Sequence, residues 1–66
     1  MKDLPDAQLE NHGSIMLLRP LTLKARHWCA EHLPDDAQHF GEATVIEPRY
    51  ARDIALGMLA DGLVLA

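Results

Sequence analysis

Ser14-Ile15-Met16-Leu17-Leu18-Arg19-Pro20 is the stretch on which the fold turns. Too short for a helix and closed by a proline, this apolar run reads as a β-strand. Ile15 and Leu17 fall on one face, Met16 and Leu18 on the other, which predicts a central strand covered on both sides. Beyond it, Thr22 is suited to cap a helix running from Leu23 to about Leu33. Ala25, Trp28, Cys29 and Leu33 recur there at the three-and-four spacing of a buried stripe. Lys24, Arg26, His27 and Glu31 take the other side, and Trp28 and Cys29 are expected to be shielded by the sheet.

Pro34 stops that helix, and a polar connection runs from Asp35-Asp36 to Gly41. Ala43-Thr44-Val45-Ile46 is β-branched and reads as a second strand. Glu47 is placed to cap a second helix that begins at Pro48, a favoured first helical residue, and runs to Ala60. Tyr50, Ala51, Ile54, Ala55, Met58 and Leu59 share its broad apolar face. Asp61-Gly62 supplies the helix stop, with the glycine free to take positive φ. Leu63-Val64-Leu65 reads as a last short strand. Upstream, residues 1–13 carry only scattered apolar side chains and read as a flexible N-terminal tail. The expectation is therefore one α+β domain over residues 14–66. It is a small two-layer β-α-β-α-β unit, a three-stranded sheet with two helices, its strand order open. No internal repeat is evident in the sequence.

A chain of 66 residues leaves room for one domain. A core of that size alone supplies about 3–5 kcal/mol. Cys29 is the sole cysteine, so no internal disulfide adds to it. The lone cysteine and the polar, acidic first residues, which lack an apolar export segment, point to a cytoplasmic setting. The apolar run Ile15–Leu18 is far too short to cross a membrane. Ten acidic residues against six basic ones, net charge −4, argue against nucleic acid as a partner.

The residues nominate no catalytic group and no cofactor. No Gly-rich phosphate loop, serine elbow or HExxH motif is present. Cys29, His32 and His39 come nearest to a metal set, but structural zinc wants four converging ligands, and His27 lies across the helix from Cys29. Metal binding stays an alternative beside the plainer reading of a packed cysteine and solvated histidines. A pocket near His39, Phe40 and Tyr50, where the long loop meets the second helix, is the place for a small-molecule site. Phe40 itself reads as a plug anchoring that loop.

The signal that carries weight is surplus apolar surface. With both helices on one sheet face, Met16, Leu18, Ile46 and Val64 would line the other, and Leu56 would stand on the outer face of helix two. Such a face implies a partner, as a homodimer or by docking on a larger protein. Helices on opposite faces would instead bury both sets. A second alternative is a nucleic-acid-associated or regulatory domain using Arg19, Lys24, Arg26, Arg49 and Arg52, against the acidic total.

Four segments carry a resemblance: Leu18-Arg19-Pro20-Leu21-Thr22, Asp36-Ala37-Gln38-His39-Phe40-Gly41, Val45-Ile46-Glu47-Pro48-Arg49-Tyr50, and Gly57-Met58 with Asp61-Gly62-Leu63. In these the chain resembles a group of short uncharacterised bacterial proteins. The resemblance implies a bacterial origin and a stand-alone domain, and attaches no activity.

Overall fold

The computed structural model describes residues 4–66. In chain order it has β1 (Ala7–Asn11), β2 (Met16–Pro20), α1 (Leu23–His32), β3 (His39–Phe40), β4 (Ala43–Ile46) and α2 (Pro48–Ala60). The strands form one four-stranded antiparallel sheet in the order β1-β2-β4-β3. The α+β class and both helices agree with the sequence reading; the three-stranded sheet does not. The added first strand comes from Ala7–Asn11, inside the expected tail. Ala7 and Leu9 alternate with Gln8 and Glu10, and pairing with β2 overrides the weak strand propensity of Ala, Gln and Glu. The first three residues of the expected tail lie outside the described residues.

Each hairpin turns on a glycine at positive φ, Gly13 (84°) and Gly41 (63°). Both stand first in a two-residue loop, the position where such a turn asks for glycine. The interval from Gly13 to Gly41 relates the two hairpins over their turns and the pairs next to them. It carries the pair Asn11–Met16 onto His39–Thr44, and Glu10–Leu17 onto Gln38–Val45, whose amide donates to the Gln38 carbonyl at 2.8 Å. Leu17 also lies opposite its own counterpart Val45 where β2 meets β4. The two hairpins thus repeat one turn and register about the Leu17–Val45 pair, whereas the helices do not keep the interval, which would carry the buried Ala25 and Trp28 onto the exposed Asp53 and Leu56. The sequence conceals this repeat because register and turn geometry recur while side chains do not.

Both helices cover the same sheet face. Ala7, Leu18 and Ile46 meet Ala25 and Trp28 of α1 and Ala51 and Met58 of α2 in one core cluster, with Leu63 closing it and Met16 packed against it. The expected apolar contact surface is thereby corrected. Met16, Leu18 and Ile46 point at the helices, and only Leu56 and Val64 of that set are exposed. The other face instead holds Gln8, Glu10, Arg19 and Gln38 around Val45 and Leu17, the latter only 4% exposed, a mixed surface that an antiparallel sheet can present to water. Phe40 stands on that face and is 70% exposed, so it plugs nothing.

Thr22 caps α1 as expected, its hydroxyl accepting from the Ala25 amide at 3.1 Å. Glu47 makes no such cap; its carboxylate accepts from Arg49 Nε at 2.8 Å. On α2 the buried stripe is narrower than the spacing suggested. Ala51 and Met58 are buried, whereas Tyr50 and Leu59 are about half exposed. The last segment pairs with β1 in parallel, Leu65 against Ala7, and so covers the outer edge of the sheet.

Asp6 fastens that edge. Its carboxylate accepts from the Val64 amide at 2.7 Å and from Thr22 Oγ1 at 2.9 Å, while its carbonyl accepts from the Leu21 amide at 2.7 Å. The Val64 amide, then the Thr22 hydroxyl, hold the carboxyl below its ordinary pKa, with Lys24 adding to the effect. A depressed folded-state value means stability that is present above the ordinary 3.8 and is lost as pH falls through the folded value. Urea midpoints of the parent are accordingly expected to drop on acidification more steeply than those of Asp6→Asn, which should be the weaker protein at pH 7. Parallel curves for the two would show that Asp6 is not the fastener.

Candidate functional site

The two hairpins differ at the positions that should fill the core, and the difference leaves a cleft. The interval that relates the hairpins carries Leu9 onto Ala37 and Met16 onto Thr44. Leu9 and Met16 pack against the core beside Leu65. Ala37 and Thr44 are smaller, and the Pro34–Ala37 turn, closed by the Ala37 amide on the Pro34 carbonyl at 3.1 Å, supplies no strand there. The resulting space lies between the end of α1, this turn, β4 and the start of α2. Its volume is about 520 Å³, within the range of small-molecule and side-chain sites. Leu33, Ile46 and Ile54 give it an apolar floor; His32, Glu47, Tyr50 and Asp53 stand at its rim.

A smaller cleft of about 260 Å³ adjoins it and shares Leu33, Pro34, Ala37 and Thr44. Arg26 and Glu42 pair across this second space at 2.9 Å, with Cys29, Asp35 and His39 also in its wall. The expected pocket near His39 and Tyr50 therefore exists as two compartments, His39 in one and Tyr50 in the other. Phe40 belongs to neither. What made the space was legible only after the two hairpins could be superposed, since Ala37 and Thr44 are unremarkable residues in a linear reading.

The metal candidates do not converge. Cys29 and His39 line the smaller cleft, while His32 is held elsewhere. Its ring stacks on Trp28, centroids 4.2 Å apart and 13° between planes, with Nδ1 2.9 Å from the Trp28 carbonyl. Among the described residues no three His, Cys, Asp or Glu side chains are grouped to hold an ion. Burial pushes the Cys29 thiol up, away from the reactive thiolate.

The rim is electrostatically one-sided. Arg49 donates to Glu47 and lies 4.9 Å over the Tyr50 ring, so its charge is engaged outside the cleft. Asp53 has no ion pair among the described residues, and the same holds for Asp35 in the smaller compartment. What fold and site define together is an antiparallel α+β domain with an apolar, acid-rimmed, two-compartment cleft.

Comparison with protein-family models, with curated proteins and with solved structures finds no match to this chain. No helix among the described residues is long and apolar enough to cross a membrane.

Proposed function

We propose that this chain is a small non-enzymatic protein-interaction domain that docks on another protein, in a cytoplasmic setting, through the cleft between α1 and α2. The observation that carries the reading is the apolar floor of the partly exposed Leu33 and Ile54 over the buried Ile46, beside the small Ala37 and Thr44. An open, apolar-floored cleft with few polar groups suits a bulky side chain offered by a partner. Of its rim groups, Glu47 and Tyr50 engage Arg49, His32 is held by Trp28, and Asp53 has no ion pair among the described residues, where no nucleophile is held by a base at the cleft. The bacterial resemblance is compatible with such a stand-alone adaptor and adds no activity to it.

Peptide-display selection against the full chain tests this. Sequences containing a bulky apolar residue should be enriched on the parent and lost on Ala37→Leu, which restores the side chain found at Leu9 and fills the space. Equal enrichment on both proteins, or none on either, would remove the cleft as the contact site. A second copy of the chain is the competing occupant. Sedimentation at micromolar concentration should show a monomer; a dimer that shields Leu33 and Ile54 would overturn docking on another protein.

A further inference from the structure

Resting on the cleft as the contact site, we infer that the partner segment carries a bulky apolar side chain flanked by Lys or Arg. Both spaces adjoin along Leu33, Pro34, Ala37 and Thr44, so one segment crossing them can place an anchor in one compartment and a flanking side chain at the other. The larger compartment has the apolar floor and takes the anchor. Charge selects what lies beside it. Of the four carboxylates in the two walls, Glu42 and Glu47 already have arginines, at 2.9 and 2.8 Å. Asp35 and Asp53 have none among the described residues, one in each compartment. Among the described residues no lysine lines either space, and the one arginine that does, Arg26, is the partner of Glu42. An acidic flank would meet two uncompensated carboxylates, whereas a basic one completes both. The net charge of −4 attracts the same kind of segment at longer range.

Three short labelled peptides, identical except for a central Lys-Leu-Lys, Glu-Leu-Glu or Lys-Ser-Lys, test the inference by fluorescence anisotropy against the full chain. The first should bind tightest and weaken as salt rises, because its flanking contacts are solvent-screened. Asp53→Asn, a change at an exposed position, should weaken it about fivefold, the scale of one exposed charge pair. Ala37→Leu should abolish binding. If Glu-Leu-Glu binds as well as Lys-Leu-Lys and both are lost on Ala37→Leu, the charge selection is wrong and the cleft stands. If none of the three binds, the cleft reading falls with it.

Discussion

Trp28→Ala is expected to leave the protein largely unfolded at 25 °C. Emptying an aromatic core site costs about 3–5 kcal/mol, the same size as the whole stability that so small a core supplies. Three contacts concentrate the loss at this residue. The indole is 7% exposed, and its six-membered ring lies against Gly57 so closely that a Cβ there would stand 3.2 Å from it. Nε1 donates to Asp61 at 2.7 Å, at the C-terminal end of α2, and His32 stacks on the ring. One side chain therefore ties α1 to two points of α2. Trp28→Phe separates packing from hydrogen bonding. It keeps an aromatic ring but drops the donor, and should cost about 1–2 kcal/mol for the unmade bond to a charged acceptor, plus a share for lost volume. Thermal melts followed by far-UV circular dichroism decide the matter. A Trp28→Ala protein melting within a few degrees of the parent would show that the ring is peripheral.

Leu18→Ala should follow closely, with a loss of about 2–5 kcal/mol. Leu18 is fully buried in the middle of β2, where it pairs with Leu9 on one side and Thr44 on the other beneath both helices. The informative comparison is Leu56→Ala on the outer face of α2, where the side chain is 53% exposed. That change should stay within about 0.5 kcal/mol of the parent. Sequence reasoning counted both leucines as surplus apolar surface, Leu18 on an uncovered sheet face and Leu56 on the outer face of α2, and chemical denaturation separates them by a margin well outside error. Equal, small effects at both sites would restore the original surface and remove the packing described above.

The local elements were legible in the chain for reasons that act within a few residues. Thr22 caps α1 through its own hydroxyl, Pro48 starts α2, and Gly62 at φ 84° ends it. Each depends on a side chain meeting a backbone group nearby, so its evidence lies in adjacent positions. The alternation that puts Met16 and Leu18 on one face and Leu17 on the other is equally local, and it holds in the sheet. Which face receives the helices is not. That choice depends on where α1 and α2 return in space, and an apolar run with hydrophobes on both sides reads the same either way.

β1 was missed for a related reason. Ala7-Gln8-Leu9-Glu10 has too little strand propensity to declare itself, and it becomes a strand because Met16–Pro20 and the Leu65 segment pair with its two edges. The cleft lay furthest from reach. It exists because Ala37 and Thr44 stand where the other hairpin has Leu9 and Met16, a comparison that only superposed hairpin registers permit. By itself, then, the sequence determined the helices, their ends and the alternation of β2 and β4, because caps, prolines and two-residue periodicity are local interactions. Tertiary structure alone decided the first strand, the covered face, the recurring hairpin register and the binding space, because each depends on pairing and packing between residues apart in the chain.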